Sequence, residues 1–187
     1  MKKILQQKEK VLHQIAEEVN ISDIKTKKIQ TVIKEMSASL KSQDDGVAIA
    51  APQIGYKLRI FVVSGKIFAK DFAKSREERL LNENNIIKST YKKEILKDLI
   101  FINPKISKLS REKEWVPEGC LSVRWLYGKT FRSKKVIITA YDENGKKFQR
   151  GASGLLAQIF QHETDHLNGI LFIDHAKDIK EELPERK

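Results

Sequence analysis

Residues 154–169, GLLAQIFQHETDHLNG, constrain the fold more than any other stretch. Ser153 and Gly154 mark a helix start, Gly169 marks its stop, and His162, Glu163 and His166 occupy the H-E-x-x-H pattern between them. At about 100° per residue, His162 and His166 lie about 40° apart around the axis and one turn displaced, so both imidazoles can reach one ion. Leu155 and Ile159 continue that face, so the pair points into the protein, where an imidazole needs a hydrogen-bond partner or a metal. Glu163 projects roughly 80° to the side, as suits a general base beside an ion rather than a ligand of it. Two histidines bonded to backbone carbonyls are the competing reading, and a third ligand would separate the two.

Asp165, Asp174 and His175 are candidates, but Asp165 points off the histidine face and the other two lie beyond Gly169. Where metzincins carry a third histidine this chain has Phe172, which disfavours that class of zinc protease. The single cysteine, Cys120, lies 42 residues before His162 and can be core filler, nucleophile or metal ligand. A lone cysteine is more often a small buried hydrophobe. Gly119 before it permits close backbone approach to whatever the thiol touches.

One cysteine excludes an intrachain disulfide framework and suits a reducing compartment. The chain has 187 residues, 40% hydrophobic and 33% charged, which predicts one packed domain over residues 1–187 under a heavily charged surface. The start MKKILQQKEK lacks the apolar stretch of an export signal, and no run of roughly 18 apolar residues predicts a membrane span. No internal repeat is visible.

In Lys27–Lys41, the residues Ile29, Val32, Ile33, Met36 and Leu40 draw one apolar stripe on a helix, ended by Asp44-Asp45-Gly46. The following VAIAAPQIGY reads as a tight loop or short strand. Residues 58–63, 101–103 and 136–141 have strand composition, and Asn144-Gly145 joins the last to 147–150 as a hairpin. Residues 64–100, 37 in number with 15 charged, read as a charged surface insertion. The expected fold is α+β, with antiparallel strands packed around the central H-E-x-x-H helix and the first helix alongside.

Three segments, GVAIAAPQ (46–53), EGCLS (118–122) and QHETDHL (161–167), resemble in order and spacing the motifs of the peptide deformylases. The resemblance runs from the first helix to about Asp174. It implies that Cys120, His162 and His166 hold one divalent metal, typically Fe²⁺, with Ni²⁺, Co²⁺ or Zn²⁺ as substitutes. It implies removal of the formyl group from N-terminal formylmethionine of nascent polypeptides, with formate released. Glu163 would take a proton from the attacking water and deliver it to the departing amine, while the Gln53 side chain and the Leu121 backbone N–H stabilise the oxyanion. Val47, Val116, Leu155 and Ile159 match the methionine pocket, and backbone near Val47 and Gly119 would hold the peptide extended. The expected setting is a bacterial cytoplasm rather than an organelle, with no membrane or DNA partner.

Two departures stand out. Ala48 occupies a position where the family usually has glycine, and Arg124-Trp125-Leu126-Tyr127 replaces a common proline after Leu121-Ser122-Val123, so the substrate-entrance loop is expected to differ. The net charge of +11 is concentrated in residues 121–150, with eight Lys/Arg against two Asp/Glu. Interleaved with Trp125, Tyr127 and Phe131, this charge can stack on ribosomal RNA; a solvated hairpin face with its aromatics turned to the core is the alternative. The tail, residues 177–187, balances four positive and four negative charges and suggests no docking role.

Overall fold

The computed structural model describes residues 2–69, 72 and 96–183. Helix α1 is Lys27–Lys41, and all five residues of its apolar stripe are buried. Strands β1 (Ala48–Ala50), β2 (Ile60–Val63) and β3 (Leu99–Leu109) join β6 (Lys135–Tyr141) and β7 (Lys147–Ser153) in an antiparallel sheet ordered β1-β2-β3-β6-β7. A second sheet, ordered β4-β5-β8, comprises β4 (Lys113–Gly119), β5 (Leu126–Ser133) and β8 (Lys177–Glu181). Helix α2, Gly154–Leu167, carries His162, Glu163 and His166.

Both faces of the larger sheet are covered, so β2 reads as a continuous apolar run rather than an alternating one. Ile60 and Val62 pack with the α1 stripe, Ile49 and Leu121. Phe61 and Val63 face the other way, with Phe101, Phe160 and Ile159. The Phe61 and Phe101 rings stack at 4.6 Å between centroids, and Phe160 meets Phe101 edge-on at 5.0 Å. These aromatics seat α2 against the sheet and fix the height of its histidines.

Several expectations need correction. The strand expected at 101–103 runs from Leu99 to Leu109, so Leu99 and buried Ile100 belong to the sheet rather than to an insertion. Gly65–Phe68 is a short 3-10 turn, and the remaining core of the expected insertion lies outside the described residues. Strands β4, β5 and β8 were not expected. The basic stretch 121–150 is not one hairpin face, because β5 belongs to the smaller sheet and the β6–β7 hairpin to the larger. Phe131 is not turned to the core: it is 50% exposed and packs on Trp115, itself 46% exposed, across the β4–β5 pair. Part of the balanced tail forms β8 against β5. No helix among the described residues is long and apolar enough to cross a membrane.

Candidate metal centre and surrounding site

β7 runs to Ser153 and α2 starts at Gly154, whose φ of +55° turns the chain from strand to helix. The Ser153 side chain makes no capping bond, so the turn rather than a cap sets the helix start. At the other end Gly169, with φ +74°, closes α2 against the backbone of His13 and Gln14.

One turn apart on α2, the His162 and His166 rings stand nearly perpendicular with centroids 4.9 Å apart. Cys120 reaches them from the turn after β4, its Sγ 3.2 Å from His166 Nε2. One ligand atom from each of Cys120, His162 and His166 lies within 4.8 Å of the others. Tetrahedral coordination by one thiolate and two imidazoles separates the ligand atoms by roughly 3.3–3.6 Å, so these three side chains fit a small transition-metal ion with little rearrangement. Asp165, Asp174 and His175 take other roles. Asp165 pairs with Arg132 and lies 3.4 Å from His175, while Asp174 accepts the Leu171 N–H.

Glu118, two residues before Cys120, accepts from His162 Nδ1 at 3.1 Å and from Arg132 Nε and Nη2 at 2.8 and 3.0 Å. The Nδ1 contact directs His162 Nε2 toward the ligand cluster, the usual arrangement of a carboxylate behind a metal-binding imidazole. Arg132 also donates to Asp165 at 2.6 Å and so ties β5 to α2. Burial alone would raise the Glu118 carboxyl, but hydrogen bonds and charge from His162 and Arg132 prevail and hold it well below the usual carboxylate range. His166 is held well below the usual histidine range, first by burial and then by His162, so it stays neutral and able to ligate.

Glu163 is 4% exposed, and its Oε2 has no partner among the described residues. Burial raises its carboxyl most, His162 opposes the rise, and Glu118 and Asp165 add to it, giving about 7. A buried carboxyl poised near neutrality with a free oxygen is what proton transfer requires.

Gln53 lies in the 3-10 turn Ala51–Ile54 and is almost fully buried. Its Oε1 accepts the Ala50 N–H at 2.8 Å, and its Nε2 points to Ser122 Oγ at 3.1 Å and Cys120 Sγ at 3.5 Å. The Leu121 carbonyl accepts from Gln6, whereas no described group accepts from the Leu121 N–H. Both expected oxyanion donors thus sit beside Cys120.

Val47, Val116 and Leu155 are half-buried, while Ile159 is core. Ala48 lies in β1 opposite Val63 without a positive φ, so its methyl imposes no backbone strain. Gly119 does not make room for the thiol's partner: a Cβ there would lie 2.7 Å from the ring of Tyr127, its cross-strand neighbour. Arg124 forms two hydrogen bonds to Asp45, donates to Gln43 at 3.1 Å and stacks on Trp125, tying the turn after Cys120 to the loop before β1. Glu118 and Ser122 are the ends of the EGCLS segment, which by itself signals no role for either. In sequence alone Arg132 is one of eight basic residues between 121 and 150, with no pattern that marks it as a partner of Glu118.

Comparison with known proteins agrees with this geometry. The family model described as polypeptide deformylase matches residues 1–182. The peptide deformylase of Borreliella burgdorferi is 37% identical over 161 residues, 83% of this chain and 81% of that protein. Peptide deformylase 1A, chloroplastic/mitochondrial, of Arabidopsis thaliana is 36% identical over 164 residues, 88% of this chain but 57% of that protein. Among solved structures, a class I type b peptide deformylase from Acinetobacter baumannii with Met-Ala-Ser bound superposes with a TM-score of 0.73 at 26% identity, covering 93% of this chain and 98% of that one. With the sequence match nearly end to end and the same fold around the cluster, the chain belongs to the peptide deformylase family.

Proposed function

We infer that this chain hydrolyses the formamide of N-terminal formylmethionine on nascent polypeptides and releases formate. The observation that carries the reading is the convergence of Cys120, His162 and His166 beside Glu163, whose Oε2 has no partner among the described residues, in a chain of this family. Cys120, His162 and His166 are the ligands in this reading. Their donor set of one thiolate and two imidazoles suits Zn²⁺, Co²⁺, Ni²⁺ or Fe²⁺, and the family resemblance favours iron. When bound, the ion supplies Lewis acidity that lowers the pKa of a coordinated water toward neutrality.

Glu118 holds His162 by its Nδ1, and Arg132 holds Glu118. Glu163 takes a proton from the attacking water and passes it to the departing amine; its carboxyl at about 7 lets it do both near neutral pH. The Gln53 amide and the Leu121 N–H face the oxyanion, each such donor being worth ~10²–10³ in rate. β1 and β4 each end their sheet, so each leaves one backbone edge for an extended peptide to pair with near Val47 and Gly119. Val47, Val116 and Leu155, half-buried, would form the methionine pocket, with Ile159 behind them in the core. The formyl hydrogen is smaller than any side chain, so a constricted site admits a formamide and rejects an internal peptide carbonyl.

The Met-Ala-Ser bound to the Acinetobacter relative supports the peptide assignment. Relatives are bacterial and chloroplast or mitochondrial, and we place this chain in a bacterial cytoplasm. A ribosome-facing surface draws support from the exposed Trp115–Phe131 pair, which carries Lys177 and Lys113 over its rings. Ribosome co-sedimentation unchanged by charge reversal at Lys113 and Lys177 would remove that surface. For the activity, formate release from formyl-Met-Ala-Ser should far exceed internal cleavage of an unformylated peptide; the reverse preference would make the protein a peptidase.

A further inference from the structure

We propose that Ser122 is a positioning residue for oxyanion stabilisation: its buried hydroxyl takes one N–H of the Gln53 amide and so aims the other at the reacting carbonyl. This rests on the deformylase reading and adds to it a residue to which that reading gives no role. The Gln53 amide is held at both ends. Its oxygen is fixed by the Ala50 N–H at 2.8 Å, which decides which end of the amide faces the site. Its nitrogen lies 3.1 Å from Ser122 Oγ and 3.5 Å from Cys120 Sγ.

A primary amide carries two hydrogens roughly 120° apart in one plane. With one on Ser122, the other is confined to the direction of the Cys120 sulfur, where the ligand cluster stands. The torsion that carries a glutamine amide is broad and weakly restrained, so without Ser122 the ring of contacts loses the acceptor that sets the amide plane. Ser122 is 0% exposed, so no water replaces its oxygen without a cavity. Its own backbone N–H lies on Cys120 Sγ at 3.4 Å, which fixes the hydroxyl relative to the ligand it serves. Preorganised donors act through direction as well as presence, so a loosened Gln53 should lower turnover more than substrate binding.

The test is a double-mutant cycle on the metal-loaded protein, with formyl-Met-Ala-Ser as substrate. Ser122→Ala should lower kcat about tenfold with KM within about twofold, because part of one donor's contribution is lost. In a Gln53→Ala background, Ser122→Ala should lower kcat no further. Ser122→Thr, which keeps the hydroxyl, should retain more kcat than Ser122→Ala. Unchanged kcat in Ser122→Ala, equal losses with and without Gln53, or a loss in Ser122→Thr as large as in Ser122→Ala would each overturn the proposal. As a measurement on the unaltered chain loaded with zinc, the two Gln53 side-chain amide protons should give separate NMR signals, one protected from solvent exchange; fast exchange of both would also overturn it. Absence of formate release by the unaltered protein would instead overturn the deformylase reading, and this inference with it.

Discussion

Arg132→Met should separate the fold's dependence on the buried ion network from the metal's. The Arg132 side chain is 9% exposed, bonds Glu118 twice and Asp165 once, and Glu118 is 3% exposed. Methionine fills much of the volume but takes the guanidinium from Glu118, leaving it, among the described residues, with His162 at 3.1 Å and Gln158 at 3.4 Å. Breaking a buried pair from one side costs about 3–5 kcal/mol. In a domain of this length each kcal/mol shifts Tm by about 2–4 °C, so the metal-free variant should melt roughly 6–20 °C lower. Asp165, 23% exposed and still beside His175, should hydrate and add little. The companion Arg132→Met/Glu118→Leu removes the stranded charge and should recover most of that loss. It should not recover metal affinity, because His162 Nδ1 then lacks its acceptor, and loss of such a partner typically weakens binding 10–100-fold. Thermal melts with and without metal, alongside metal competition titrations, measure both quantities. A single-variant loss below about 1 kcal/mol, or a double variant less stable than the single, would refute the reasoning.

Gly119→Ala should lower stability by about 1–3 kcal/mol, since its methyl would meet the Tyr127 ring at 2.7 Å, and Tyr127→Leu should relieve part of that loss in urea titrations. Asp45→Asn should cost no more than about 1 kcal/mol at neutral pH, because that carboxylate is half exposed. Burial opposes, but the Arg124 bonds hold the Asp45 carboxyl below its unfolded value, so the difference should be full above the unfolded pKa of about 3.9 and vanish as pH falls through the folded one. A pH series of urea midpoints checks the sign. Iron-loaded protein should lose activity in air, since a thiolate-bound ferrous site is oxidisable, whereas zinc-loaded protein should not; equal decay of the two would argue against Cys120 as a ligand.

The sequence was most legible where burial is apolar and periodic. The α1 stripe, the 58–63 strand and the 154–169 helix all appear close to their expected bounds, because one-sided or complete burial leaves a repeat that can be counted. β5 left none. Its buried face is Gly128, Thr130 and Arg132: a Cβ at Gly128 would crowd Ala176 and Lys177, and Arg132 reaches Glu118 and Asp165, so an alternation of apolar residues could not announce it. β3 was cut short for a related reason: Asn103, with φ +50°, bonds both backbone groups of Val19, and Pro104 follows it, so turn-like residues stand inside a strand. His162 and His166 could be paired from helical spacing, but Cys120 comes from a different element, and only the family resemblance joined it to them. Arg132 and Ser122 act on other site residues rather than on an ion or substrate, and that kind of dependence leaves no pattern in a single chain.

The central claim is that the cluster holds a metal while Glu163, not a ligand, moves the proton. Metal content and formate release measured on the same samples of the unaltered protein and of Glu163→Ala test it most directly. Both should carry about one metal per chain, and the variant should lose ~10²–10⁴ in formate release. Loss of the metal in Glu163→Ala, or full activity with the metal retained, would contradict it.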